Sequence, residues 1–318
     1  MHDVICLMGP TASGKTDMAC SLLNRFPCEI ISVDSAMIYR GMDIGTAKPD
    51  AALLKLAPHH LIDIRDPTEA YSVAAFCHDA KKLCDDILAR GNIPLLVGGT
   101  MMYFRAFQNG LSILPVANPD MRKALLLEAA EKGWPYLHEK LKALDAVTAA
   151  RLHPNDTQRI QRALEVCYTT GLPLSEAFDA DVLVPAANYH VINLILFPER
   201  RAWLHERIAK RLTQMLDMGF LDEVSALKQR FNLTSEMPAM RSVGYRQALD
   251  YQQGLSDFEV FCEQTRAATR QLAKRQLTWL KTWPNACRFD PENPTCFDTM
   301  LELLHLILDN QADKTEDS

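Results

Sequence analysis

The sequence predicts an α/β fold: a parallel sheet flanked by helices, with a helical domain inserted into it. Three observations carry the prediction. Short apolar runs stop at a glycine or an aspartate, amphipathic helical stretches alternate with them, and the alternation is suspended between residues 116 and 189.

The elements follow in order. Val4–Met8 is wholly apolar and stops at Gly9, the pattern of a parallel strand buried on both faces. A helix is expected from Lys15 to about Phe26, and a second strand over Glu29–Val33, ending at Asp34. Ser72 opens a helix whose apolar residues Phe76, Ala80, Leu83, Cys84, Ile87 and Leu88 share one face, and Gly91 is placed to end it. A third strand, Ile93–Val97, runs into Gly98-Gly99-Thr100. Asn118-Pro119 reads as an N-cap and first helical residue. The helical stretch it opens reaches about Phe178, with breaks near Gly133 and at His153–Asp156. A strand returns at Val191–Phe197, and long helices follow over about Arg201–Arg230 and Asp257–Lys281. The polar tail Gln311–Ser318 is expected to fray. The domain division is therefore 1–115 with 190–318 for the core and its C-terminal helices, and 116–189 for the insertion.

Composition suits an ordinary globular enzyme: 318 residues, 48% hydrophobic and 23% charged. No run approaches the roughly 18 apolar residues of a membrane span, and no secretory leader is read, so a cytoplasmic protein is expected. The nine cysteines are scattered, without C-x-x-C or zinc spacing, which suits a reducing compartment. Cys6, Cys20 and Cys84 fall in apolar patterns and are expected in the core. A net charge of −6 argues mildly against a nucleic-acid partner, although the placement of basic residues matters more.

Gly9-Pro10-Thr11-Ala12-Ser13-Gly14-Lys15-Thr16 matches G-x-x-x-x-G-K-[ST] between a strand and a helix, which makes the core P-loop NTPase-like. Its N–H groups converge on phosphate oxygens, the helix N-terminus adds positive potential, Lys15 adds a point charge and the Thr16 hydroxyl suits Mg²⁺. A chance glycine turn is the bland alternative, and the strand-to-helix context argues against it. The loop implies a di- or triphosphate without saying which. An ATP or GTP enzyme is the obvious inference, yet the strand ending at Gly98-Gly99 carries no acid for Mg²⁺. Asp34 is the well-placed acid, either holding metal or acting as a base on a second substrate.

Longer runs add specificity: Ser32-Val33-Asp34-Ser35-Ala36-Met37-Ile38-Tyr39, Gly41–Pro49 (GMDIGTAKP), His60–Pro67, Leu96–Thr100, Gln158–Glu165, Arg241–Arg246 and Thr269–Gln276. In these residues, in order over about 4–283, the chain resembles the tRNA dimethylallyltransferases. The zinc-finger extension of some eukaryotic members is not seen, so the resemblance is to the bacterial form. It implies that the loop holds the pyrophosphate of dimethylallyl pyrophosphate with Mg²⁺, that the dimethylallyl group moves to the exocyclic amine of the adenosine 3′ of the anticodon in tRNAs reading codons that begin with U, and that pyrophosphate leaves.

The same resemblance assigns roles. Asp34 matches the family's base; from sequence alone an N-cap or Mg²⁺ ligand is equally open. Gly9 to Thr16 and Arg211 match the pyrophosphate site, although Arg207-x-x-x-Arg211 would otherwise read as a solvated helix face. Thr100 falls near the reacting centre, with an ordinary N-cap as its alternative. The target base must leave its stack to enter such a site. The tRNA contacts implied are Asp34, Ser35, Ala36 and Met37; Gln158, Arg159, Ile160, Gln161 and Arg162; the loop-like Arg241, Ser242, Val243, Gly244, Tyr245 and Arg246, where arginines and Tyr245 suit splayed bases; and, with less support, Arg122. Arg266, Arg270 and Lys274 share one helix face, Arg275 and Lys281 extend it, and no acid occurs from Gln264 to Lys281. The bland alternative there is a solvated face. Trp279 and Trp283 read as packing residues. A monomer is expected. Two competitors remain: a P-loop nucleotide or small-molecule kinase, and an RNA-binding P-loop protein without chemistry.

Overall fold

The computed structural model describes residues 2–111, 114–115, 118–176, 189–235 and 237–316, with side chains up to 309. The chain divides into two compact units, Met1–Gln108 with Ala187–Ser318, and Asn109–Ala186.

The first unit begins with β1 (His2–Met8), α1 (Lys15–Leu23), β2 (Cys28–Val33), α2 (Ala51–Leu56), β3 (His59–His60), α3 (Val73–Ala89), β4 (Ile93–Gly98) and α4 (Met101–Asn109). The second unit holds α5 (Pro119–Lys132), α6 (Trp134–Leu144), α7 (Ala146–Arg151) and α8 (Thr157–Thr170). The chain then returns to the first through β5 (Tyr189–Leu196), α9 (Arg201–Asp217), α10 (Phe220–Phe231), α11 (Tyr245–Gln252), α12 (Phe258–Lys281), β6 (Ala286–Phe289) and α13 (Cys296–Glu316). The six strands lie in the order β3-β2-β4-β1-β5-β6 and every pairing is parallel. In β1, Val4 to Met8 are all completely buried, as a run without polar residues requires. Ile5, Leu7, Leu95 and Leu194 pack with Leu22 of α1 and with Met300 and Leu304 of α13.

Register sets up the functional end of this sheet. Met8 pairs with Gly98 and Val33 pairs with Gly98, so β1, β4 and β2 finish level with one another. The segments that follow, starting at Gly9, Gly99 and Asp34, emerge side by side at the carboxyl edge, where open α/β sheets bind ligands. Gly98 permits this closeness: a Cβ there would sit 2.0 Å from the Val33 carbonyl oxygen. Gly98→Ala therefore has to force β2 from β4, and we expect a loss of at least ~3 kcal/mol of stability, read from urea midpoints; a change under ~1 kcal/mol would contradict the close packing.

Several expectations are met. Ser72 caps α3 by accepting from the Ala75 N–H at 3.1 Å, and Asn118 caps α5, whose first residue is Pro119. The breaks at Gly133 and His153–Asp156 are present. Cys6 and Cys84 are fully buried, and burial pushes the Cys6 thiol up to about 12; Cys20 packs at the core's margin. Others are corrected. The long helix expected over Arg201–Arg230 is two helices, because Gly219 takes φ +91°, outside the helical range. The first helix stops at Leu23 and leaves Phe26 to pack on the core. A further break at Asp145 divides the insertion, where the Asp145 side chain itself accepts from the Thr148 N–H. The polar tail from Gln311 belongs to a helix whose bounds run to Glu316 and whose earlier turns pack on the core. The helix end expected near Phe178 lies outside the described residues. Among the described residues no helix is long and apolar enough to cross a membrane.

The inserted unit has its own core, in which Leu137, Leu141, Ile160 and Leu164 are completely buried. Buried with them is Glu165, whose carboxylate accepts from Arg162 Nη1 (2.8 Å), the Asn118 N–H (2.6 Å) and Arg122 Nη2 (3.2 Å). Burial acts to raise this carboxyl, and the bonds from Arg162, Asn118 and Arg122 together hold it below the ordinary carboxylate range. Glu165→Gln leaves this network half satisfied, and we expect a loss of about 2–4 kcal/mol at neutral pH. The sign with pH follows from the depressed value. The stabilisation is complete above the unfolded carboxyl's titration and fades as pH falls through the folded one, so wild type and variant converge in acid. Thermal unfolding followed from pH 7 down through the acid range to about pH 2 measures both effects.

Candidate active site

The loops at the carboxyl edge of the sheet, with α9, α12 and the Arg241–Tyr245 segment, enclose a cleft of about 1040 Å³. The phosphate loop forms its floor. Lys15 folds over the loop and donates from Nζ to the Pro10 carbonyl at 2.7 Å. Burial pushes Lys15 down to about 7; Asp34 works against the shift and Arg211 adds to it. Thr16 lines the same cleft.

The arginine expected at this site is there. α9 carries Arg211 across the loop, where Nη1 donates to Thr11 Oγ1 (3.4 Å) and Nη2 to the Thr46 carbonyl (3.0 Å). Burial lowers its pKa, which is the opposite of a solvated face. Arg207, one turn earlier, is exposed and donates to the Ala12 carbonyl at 2.7 Å. Two guanidinium groups and a desolvated ammonium thus lie against the loop, an arrangement suited to an anion.

Asp34 ends β2 at the cleft wall. Its Oδ1 accepts from the N–H groups of Ala36 (2.8 Å) and Met37 (3.3 Å), which closes an Asx turn and fixes the carboxylate. Among the described residues Oδ2 accepts no hydrogen bond, so one oxygen is held and the other is open to the cleft. Thr100 Oγ1 does not cap α4. It accepts from the Ser35 N–H at 3.1 Å, and so ties the end of β4 to the Asp34 turn.

The remaining predicted residues divide. Ser35, Ala36, Met37, Arg241, Ser242, Val243, Gly244 and Tyr245 line the cleft with Arg275. Lys274, Lys281 and Arg246 are exposed, whereas Arg266 is half-buried and bonds to Glu263 at 3.0 Å. In the inserted unit Gln158 and Arg159 are exposed, with Arg159 pairing to Asp156. Two expectations are corrected. Tyr245 lies behind the cleft lining rather than on its surface: it is completely buried, its hydroxyl donates to Glu223 at 2.6 Å, and it starts α11 rather than lying in a loop, so its ring presents no open face to a splayed base. Ile160 is likewise completely buried, packed in the inserted unit's core, and offers RNA no side chain. Gln161 donates to the Arg122 carbonyl at 3.2 Å, and Arg122 and Arg162 are engaged with Glu165.

Four residues gain roles that the sequence did not mark. Trp279 packs under the Arg105 guanidinium and also lines the cleft, half-buried, while Trp283 is packed as expected. Gln276 is buried and joins two loops, accepting from the Thr11 N–H and donating to the Gly99 carbonyl, each at 2.8 Å. Glu223 accepts from the N–H groups of Asp43 (2.9 Å), Ile44 (2.6 Å) and Gly45 (3.1 Å), pinning the GMDIGTAKP segment that carries Thr46. Thr265, on the cleft wall, has a buried hydroxyl that makes no hydrogen bond among the described residues. Only hydrogen-bond geometry gives Gln276 and Glu223 these roles, although Gln276 closes the Thr269–Gln276 run.

The family model for IPP transferase matches residues 37–283. The chain is 57% identical over 307 residues to a protein of Legionella pneumophila strain Corby named tRNA dimethylallyltransferase, covering 96% of this chain and 97% of the relative. It is 59% identical over 287 residues to the protein of that name from Thiobacillus denitrificans, covering 90% and 91%. Among solved structures it resembles the full-length tRNA isopentenylpyrophosphate transferase of Bacillus halodurans, with a TM-score of 0.71, 34% identity and coverage of 100% and 99%. It also resembles a eukaryotic dimethylallyltransferase acting on tRNA, with a TM-score of 0.79, 26% identity and coverage of 99% and 80%. With the family model spanning most of its length and relatives this similar matching almost end to end, the chain belongs to the IPP transferase family.

Proposed function

We propose that the protein is a tRNA dimethylallyltransferase that moves the dimethylallyl group of dimethylallyl pyrophosphate onto the exocyclic amine of the adenosine 3′ of the anticodon, in tRNAs reading codons that begin with U. The observation that carries the reading is the half-anchored Asp34 carboxylate beside a phosphate loop whose partner strand ends without an acid. A loop built for phosphoryl transfer needs metal-holding acids as well as closing arginines such as Arg207 and Arg211. This one faces a free carboxylate oxygen, which suits proton removal from a second substrate. The relatives' names point the same way and disfavour both the kinase and a binding protein without chemistry.

The adenine amine is a weak nucleophile because its lone pair is shared with the ring. Asp34 Oδ2 accepts a proton from that amine as the nitrogen bonds to the donor's terminal carbon. The bond from that carbon to the pyrophosphate oxygen breaks, and its electron pair leaves with pyrophosphate. Lys15, Arg211 and the loop N–H groups of Gly9 to Thr16 hold the charge that develops. Thr100, tied to the Asp34 turn, fixes the base relative to the loop. Mg²⁺ belongs to the same proposal: no cluster of three or more acidic, histidine or cysteine ligands occurs among the described residues, and Mg²⁺ commonly binds through one protein oxygen and substrate phosphates. Thr16 would hold it, and bound there it neutralises pyrophosphate charge. The exposed Gln158, Arg159, Arg246, Lys274 and Lys281 supply the tRNA contacts in this reading, with the inserted unit taking part, and the protein acts as a monomer in the cytoplasm.

The test is a transfer assay with radiolabelled dimethylallyl pyrophosphate, unmodified tRNA and Mg²⁺, without nucleoside triphosphate. Label on the adenosine beside the anticodon is the expected result. Unlabelled tRNA, with ATP consumed in the presence of a small acceptor, overturns it in favour of the kinase.

A further inference from the structure

We propose that Gln276 is a positioning residue that sets the phosphate loop against the loop carrying Thr100, a role that rests on the transferase reading above. Its amide is buried, and both ends are committed: Oε1 accepts from the Thr11 N–H and Nε2 donates to the Gly99 carbonyl, each at 2.8 Å. A donor at one end and an acceptor at the other fix the amide's orientation. Gly99 is shaped to receive it, because a Cβ at that residue would lie 2.4 Å from Nε2. Among the described residues no side chain from the sheet joins the two loops in this way; the link comes from α12. The chain of contacts runs on. Gly99 leads into Thr100, and Thr100 Oγ1 holds the Ser35 N–H next to Asp34. Beyond the sheet register, this amide therefore braces the groups that hold the leaving pyrophosphate against the segment that leads to the carboxylate that takes the proton. Its neighbours on α12, Lys274 and Arg275, are exposed, so the helix that fixes the loops also carries the basic face.

The bonds hold two loops together and touch neither substrate, so their loss slows the chemical step more than it weakens binding. Gln276→Leu removes both bonds. Gln276→Glu keeps the acceptor for Thr11 and sets a carboxylate oxygen against the Gly99 carbonyl. Gly99→Ala expels the amide from the other side. In the transfer assay each single variant should show kcat lowered about 10- to 100-fold, the scale of an ångström of misplacement, with KM for tRNA and for dimethylallyl pyrophosphate within about threefold and a cooperative melt retained. The Gln276→Ala, Gly99→Ala double variant should be little slower than Gln276→Ala, because the side chain that the new Cβ meets is gone and only the Gly9 carbonyl oxygen, 3.3 Å away, has to give. Wild-type kcat in Gln276→Glu overturns the proposal. So does a rise in KM for tRNA with kcat unchanged, which would make Gln276 an RNA contact. Gln276→Glu carries the test if the leucine variant does not fold. A wild-type control that leaves tRNA unlabelled counts against the transferase reading itself; a labelling wild type with an equally fast Gln276→Glu counts only against the role of Gln276.

Discussion

Asp34→Asn lowers kcat for transfer by roughly 10²- to 10⁴-fold, the usual contribution of a positioned base, while tRNA and donor still bind. The asparagine keeps an oxygen where Oδ1 accepts from the Ala36 and Met37 N–H groups, so the turn survives. What is lost is the charge on the open oxygen. Binding of an anticodon stem-loop and of inorganic pyrophosphate should stay within about threefold of wild type, which places the loss in the chemical step. If turnover persists in Asp34→Asn, the carboxylate is not the base. If stem-loop binding disappears with turnover, Asp34 is mainly an RNA contact. The protein reading without chemistry predicts neither loss.

Lys15→Met should be nearly as damaging to activity and should leave the fold at least as stable. Lys15 is desolvated enough to be held near 7, which means the folded chain itself disfavours its charge. Removing the ammonium abolishes that cost, so the thermal midpoint is expected to hold or rise. The same change removes a fixed positive charge from the place where negative charge grows on the departing pyrophosphate, a loss of about 10²- to 10³-fold in kcat. Higher stability with lower activity is the trade expected of a site that keeps an ion buried for function. A fall in midpoint together with activity would make Lys15 a structural residue and overturn this reading. Calorimetry and single-turnover labelling of the same preparation give both numbers.

The two variants act on groups of unlike legibility. Lys15 is readable from spacing alone, because a glycine loop between an apolar strand and a helix is a local feature and each of its parts lies within eight residues. Asp34 is readable as an acid at a strand end, but not as a base, since a cap, a metal ligand and a base share that sequence position. Its role depends on which of its two oxygens the turn consumes. The errors have the same origin. Tyr245 looked like a stacking ring because it sits among arginines, yet the fold turns it inward to Glu223. Trp279 reads as packing because it lies on an amphipathic helix, and the fold gives it a share of the cleft lining as well.

By itself, the sequence determined the alternation of strands and helices, the phosphate loop, the insertion and the family resemblance, all of which depend on periodicity and short-range spacing that chain connectivity preserves. Only the tertiary structure decided that Gly98 brings two strands level, that Arg211 reaches Thr11 across 200 positions of sequence, and that Gln276 bonds to Thr11 from 265 positions away. Hydrogen bonds between such distant segments exist only once the sheet and helices have fixed the ends within about 3 Å of each other, and no local pattern of residues records that distance.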